Sequence, residues 1–144
     1  MKYFKLLLLI AMFVGCDGKL DLTPKKINWD RDVCERCKMI VSDRNYATQV
    51  IDPSNGKTYK FDDIGCAILW FKDQKISWKN EAILYVVDVD TKGWIDARKA
   101  FWSNFNVTPM SYGFAAHSDR KKIPDDKECM KFSDIEEYVL KGGR

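Results

Sequence analysis

Tyr46-Ala47-Thr48-Gln49-Val50-Ile51, the turn Pro53-Ser54-Asn55-Gly56, Thr58-Tyr59-Lys60-Phe61 and then Asp62-Asp63-Ile64-Gly65-Cys66-Ala67-Ile68 are the stretch from which the fold is read. The first and third pieces have strand composition, and the residues between them are turn chemistry, so the pair predicts a hairpin. Asp62 stands where a helix N-cap belongs, and Ile64, Ala67, Ile68 and Phe71 follow at helical spacing. The end of this unit recurs further along. Lys60-Phe61-Asp62-Asp63-Ile64 aligns with Lys131-Phe132-Ser133-Asp134-Ile135 at four of five positions, 71 residues on and without gaps. On the same offset Leu69 meets Leu140 and Met39 meets Met110. The predicted fold class is therefore α+β: two small related strand–strand–helix halves packed together, about 29–80 and 81–144. Met39 and Met110 would begin equivalent strands in the two halves.

Outward from that unit the elements are coarser. Ile83 to Val89 reads as a nearly continuous apolar strand, and Asp90-Thr91-Lys92-Gly93 turns the chain into Trp94-Ile95. Ser111 to Ala116 predicts another strand, and the charged stretch Ser118 to Glu128, with Pro124 inside it, a loop. The last helix starts at Ser133 with Glu136 three residues on, a capping-box pattern. It carries Ile135, Val139 and Leu140 and stops at Gly142-Gly143.

Composition narrows the function classes. Of 144 residues, 46% are apolar and 13% aromatic, which suits a packed globule and excludes a disordered chain. The formal charge of +3 includes Lys2 and Lys5, and the rest of the chain is nearly balanced, so nothing marks a nucleic-acid surface. The N-terminus reads in parts: Lys2 and Lys5, the apolar run Leu6 to Val14, then Gly15-Cys16 and the polar break Asp17-Gly18-Lys19. The run is too short to span a bilayer and suits a secretory signal. Gly before Cys at its end has the form of a lipobox. Residues 1–15 are thus expected to be a lipoprotein signal peptide, Cys16 the lipidated first residue, and 16–28 a tether. The domain would be 29–144, anchored to a membrane and facing the periplasm or cell exterior.

Removing Cys16 from the five cysteines leaves Cys34, Cys37, Cys66 and Cys129, which either pair as disulfides or stay reduced to hold a metal. The densest chemistry is Cys34-Glu35-Arg36-Cys37-Lys38-Met39. If the chain is extended there, Cys37 and Met39 project to one face. Thiolate plus thioether is a soft donor set that favours Cu(I) over magnesium, calcium or manganese. Zinc takes cysteines but has no use for methionine, so Met39 discriminates. A short-range disulfide of Cys34 with Cys37, or a four-cysteine zinc site, is the competing structural reading. A thioredoxin-type pair fits poorly, because the Cys-x-x-Cys does not follow a strand and open a helix. Cys66 lies near the first turn of the predicted helix, where the dipole lowers a thiol pKa. His117, the single histidine, joins the candidates because Met110 precedes it. No Ser–His–Asp order, paired-carboxylate motif or phosphate loop is visible. The five tryptophans read as core and turn packing.

These motifs, taken in order, resemble a known family. Asp32-x-Cys34-x-x-Cys37-x-Met39, Asp43-Arg44-x-Tyr46-Ala47-x-Gln49-Val50, Phe61-Asp62-Asp63-Ile64-Gly65-Cys66, Trp94-Ile95-Asp96-Ala97 and Thr108-Pro109-Met110-x-x-Gly113-Phe114-Ala115-Ala116 resemble NosL, the nitrous oxide reductase accessory lipoprotein. The resemblance covers residues 29 to 140. It implies a fold of two small α+β halves, similar to part of organomercurial lyase. It implies a non-enzymatic Cu(I) metallochaperone that helps deliver copper to nitrous oxide reductase in denitrification, working with a membrane transporter. Cys37 and Met39 would be the leading metal ligands, Met110 and His117 secondary ones, and Cys34 a ligand or redox partner of Cys37. The chain departs from the family at Lys38, where Gly is frequent, and at His117. The alternatives are a disulfide- or zinc-stabilised structural lipoprotein and a periplasmic thiol-disulfide oxidoreductase.

Overall fold

The computed structural model describes residues 18–143; the signal segment and Cys16 lie outside the described residues. Strands β1 (Thr48–Ile51) and β2 (Thr58–Phe61) pair antiparallel with Thr48 opposite Phe61, so the hairpin read from the turn residues is present. Asp52 organises that turn, its carboxylate accepting from the Ser54 N–H at 2.9 Å and the Asn55 side chain at 3.0 Å. Helix α1 (Ile64–Asp73) follows, then β3 (Ile83–Val87), β4 (Trp94–Asp96), β5 (Phe101–Ser103), β6 (Ala115–His117), a single 3-10 turn (Arg120–Lys122), β7 (Cys129–Met130) and helix α2 (Phe132–Leu140).

Two antiparallel sheets result, β2-β1-β3-β4 and β6-β5-β7. β3 pairs with β1, Ile83 opposite Ile51, so the four-stranded sheet runs past the division expected near residue 80 and the sheets part between β4 and β5. The fold is α+β, with two short helices packed on each other and on the sheets. The repeat holds where a strand runs directly into a helix: β2 into α1 and β7 into α2. It fails upstream, because residues 71 positions on from β1 form the 3-10 turn rather than a strand. The structural counterpart of β1 is β5, which pairs with β7 as β1 pairs with β2. The second half therefore carries an insertion between paired strands, holding β6 and the loop 104–114. Met39 and Met110 begin no strands; each lies in irregular backbone.

Helix α1 forms because its apolar residues fall on one face. Ile64, Ala67, Ile68, Trp70 and Phe71 are all buried, and each large one contributes about 1.5–3 kcal/mol on leaving water. Trp70 packs with Tyr59, Phe61, Phe71 and Trp78 at centroid separations of 4.6 to 6.2 Å, and Trp102 is buried with its Nε1 donating to Ala97 O. Helix α2 buries Ile135 and Val139. Its cap is Lys131, two residues before the Ser133 expected, and Asp134 rather than Glu136 closes the box by accepting the Lys131 N–H at 2.8 Å. It ends as the glycines predict, with Gly142 left-handed at φ 90°. The strand expected over Ser111–Ala116 is confined to its end, because Ser111 (φ 61°) and Gly113 (φ 81°) turn the chain.

The sheets are joined by a parallel bridge between Asp88 and Ala116 and by His117. Its Nδ1 lies 2.8 Å from Asp90 Oδ2 in the β3–β4 turn, and its Nε2 lies 3.0 Å from Ser103 Oγ on β5.

Gly65 lies directly against Tyr112 of the other half. A Cβ there would meet the Tyr112 ring at 2.2 Å. Gly65→Ala is expected to lower stability by about 1–3 kcal/mol, because the buried ring must move. Urea unfolding checks this, with a reduced midpoint at unchanged slope.

Candidate metal centre

Three elements bring the site together. Val33 bridges Ile40, and between them Cys34 to Met39 forms a closed loop. The Cys34 N–H donates to Met39 O at 2.8 Å and the Lys38 N–H to Cys34 O at 3.0 Å. The loop is tied to β2 by the Glu35 N–H on Lys60 O (2.8 Å) and by Lys60 Nζ on Asp32 (2.6 Å). Arg36 Nε on Asp73 at 2.8 Å ties it to the far end of α1. Lys38 has φ 62°, the left-handed region that costs a side-chain-bearing residue roughly 1–2 kcal/mol and glycine little. The segment is therefore a turn and not the extended strand that would aim Cys37 and Met39 to one face.

The second element is the junction of β2 and α1. The N-cap is Asp63, one residue later than expected, and its carboxylate accepts the Gly65 N–H at 3.2 Å. Asp62, freed from capping, is buried and turns to the loop, with Oδ2 3.3 Å from Cys37 Sγ. Its Oδ1 is buried without a hydrogen-bond partner. The third element is the first turn of α1, which carries Cys66.

Cys34, Cys37, Cys66 and Asp62 each offer one donor atom, and these atoms all lie within 4.8 Å of one another. Cys34 and Cys66 are fully buried and Cys37 is half-buried. Crowded thiols cannot all ionise, so the first proton to leave comes off easily and the others are held. A hydrogen bond from Cys66 draws the Cys34 thiol down to about 6, against the cost of burial and helped by backbone N–H groups of Cys37 and Asp62. Burial pushes Cys37 up to about 12. The hydrogen bond to Cys34, then burial, raises Cys66 well above the ordinary thiol range.

The structure thus assembles Cys34 and Cys37 from the expected set and adds Cys66 and Asp62. Cys66 had a visible signal in its helix N-terminal place. Asp62 had none, since either of two adjacent aspartates reads as the cap. Met39 is 53% exposed beside the cage. Met110 is half-buried, with its N–H on Asp63 Oδ2 at 3.3 Å, which places it at the same end of α1. His117 is not brought to the cage; both ring nitrogens are engaged by Asp90 and Ser103. That trio has the order of a hydrolytic relay, but Ser103 is buried and its Oγ accepts from Asn106. Cys129 stands outside the group, half-buried on β7, so neither a four-cysteine zinc site nor two disulfides among these four is assembled.

Three cysteines and a carboxylate gathered in a two-sheet α+β frame make a group that could hold a metal ion. A solved structure with this frame is the crystal structure of the copper chaperone NosL from Shewanella denitrificans: TM-score 0.59, 15% identity, 86% of this chain and 91% of that one covered. In sequence, no family profile and no curated protein matches the chain.

The thiol order has a pH signature. Cys34, held low, adds stability that is complete above the ordinary thiol value of 9.0 and is lost as pH falls through about 6. Cys37 and Cys66, held high, add stability that is complete below that value and is lost as pH rises beyond it. Ultraviolet thiolate absorbance of the reduced, metal-free protein should show one cysteine titrating near pH 6, and Cys66→Ala should move that midpoint upward.

Proposed function

We propose that this protein is a membrane-anchored Cu(I) metallochaperone, which passes copper by ligand exchange to a copper enzyme outside the cytoplasm. The observation that carries this reading is the cage itself: three sulfurs and a carboxylate within 4.8 Å, with two thiols fully buried and one reaching the surface. Soft thiolates select Cu(I), and Met39, exposed and two residues on from the outermost thiol, is the nearest thioether in sequence. The copper chaperone of like fold supports the same reading.

Copper is the cargo. Cu(I) meets Met39 and Cys37 at the surface and settles on the thiolates of Cys34, Cys37 and Cys66. Release reverses the path: a partner's sulfur or imidazole adds at the exposed side, and Cys37 leaves first because it is the least enclosed. Copper is then never free in solution. Met110, placed at the α1 N-terminus, is the remaining thioether candidate. The acceptor is nitrous oxide reductase, reached with a membrane transporter, by the resemblance of the motifs. Lipidation at Cys16 confines donor and acceptor to one surface, which raises their effective concentration.

A thiol oxidoreductase is disfavoured by the pKa order. Such enzymes attack through an exposed, low-pKa thiolate, whereas here the more accessible thiol, the half-buried Cys37, is held high and the low one, Cys34, is buried.

Anaerobic titration against a chromophoric Cu(I) chelator should give one Cu(I) per chain. Serine at Cys34, Cys37 or Cys66 should weaken binding about ten-fold or more, Met39→Ala less, and Cys129→Ser and His117→Gln negligibly. Equal affinity in the three cysteine variants would remove the site. In cell fractionation, Cys16→Ser should shift the protein from the membrane to the soluble fraction; retention there would remove the anchor.

A further inference from the structure

The cage contains one donor that Cu(I) does not need. Asp62 is 2% exposed, its Oδ1 has no hydrogen-bond partner, and helix capping does not require it because Asp63 does that work. A buried polar atom left unpaired costs about 1–3 kcal/mol. A carboxylate is a hard donor, a poor match for Cu(I) but a normal fourth ligand for a borderline divalent ion.

We propose that Cys34, Cys37, Cys66 and Asp62 also form a closed four-coordinate site for Zn(II), with Asp62 as the ligand that distinguishes the divalent ion from Cu(I). This rests on the reading of the cage as a metal site. Donors at the usual Zn–S and Zn–O lengths sit about 3.5–3.8 Å apart around a tetrahedron. A set already within 4.8 Å needs only a small contraction to close. Magnesium, calcium and manganese are excluded by the three sulfurs. Four protein donors leave no open position for water, so the bound ion is held rather than catalytic. The Arg36 guanidinium lies within electrostatic reach of Cys66 and offsets part of the negative charge.

The consequence is a protected resting state. Zn(II) in the cage keeps all three sulfurs from closing into a disulfide. Arriving Cu(I) takes the thiolates, and Zn(II) leaves with the Asp62 bond broken. One ion replaces another with no change in oxidation state, so no oxidant or reductant is required.

The test uses the detergent-solubilised, reduced, metal-free full chain, titrated in parallel with Zn(II) and with Cu(I) against chromophoric competitors. Zn(II) is expected to bind one per chain, and Cu(I) to displace it one for one. Asp62→Asn should weaken Zn(II) about ten-fold or more and change Cu(I) affinity less than about two-fold. X-ray absorption at the zinc edge of the unsubstituted protein should show three sulfurs and one oxygen. Four sulfurs, or no stoichiometric Zn(II), would overturn the inference, as would an Asp62→Asn variant that loses both metals equally while its melting temperature is unchanged. Zn(II) bound without Cu(I) would instead remove the chaperone reading and leave this site standing.

Discussion

The carboxylate pair at the β2–α1 junction is the constraint on which the site depends. Asp63 caps α1 and also accepts from the Met110 N–H and the Thr108 side chain, so it fixes the helix start and the loop from the other half together. A cap one residue earlier would rotate every helical side chain by about 100° relative to β2. Cys66 would then leave Cys34. With the cap at Asp63, Asp62 lies in the bend between Phe61 and the cap, with its carboxylate on the cysteine loop. One residue of register thus decides both the third sulfur and the oxygen of the cage.

The cage combines depth with access. Burying a thiolate is costly unless hydrogen bonds or a cation meet it, and here one negative charge is shared among three close sulfurs. The backbone N–H groups of Cys37 and Asp62 and the Cys66 thiol all favour Cys34 as its holder. That arrangement supplies one ionised sulfur near neutral pH while the thiols of Cys37 and Cys66 keep their protons. Because one hairpin carries both Cys34 and Cys37, the deep sulfur and the outer sulfur are held by the same turn. Lys38 in its left-handed conformation is what bends that turn back to Met39.

Much of this frame was legible in the sequence. Pro53-Ser54-Asn55-Gly56 gave the β1–β2 hairpin, the spacing of Ile64, Ala67, Ile68 and Phe71 gave α1, and Gly142 marked the end of α2. What was not legible depends on positions where several local choices are equally good. Asp62 and Asp63 are interchangeable as caps until Thr108 and Met110 arrive from 45 or more residues away, and only tertiary packing chooses between them. Lys38 carries no signal for a left-handed turn, so Cys37 and Met39 read as an extended pair. His117 looked like a ligand because sequence order put it after Met110, while the fold puts it between two sheets with Asp90 and Ser103. The gapless repeat hid an insertion, since the strand-into-helix segments align while their partner strands do not.

The two halves kept a common frame but not a common chemistry. On the 71-residue offset, which holds for the strand-into-helix segments, Asp62 and Cys66 correspond to Ser133 and Glu137, so the second half has no thiol at the start of α2, the place of Cys66. What it supplies is support. Thr108 donates to Asp63, and Tyr112 packs against Gly65 one residue before Cys66. Loop 104–114 is thus the insertion that breaks the repeat and also the piece that presses on the helix start where the cage is built. Met110 is the soft donor that this loop holds, while Cys129 and Met130 lie apart from it on β7. The second half carries its sulfurs elsewhere, on β7 and in the supporting loop, and that loop fixes the cap of α1, so among the described residues the cage is single although the strand-into-helix unit occurs twice.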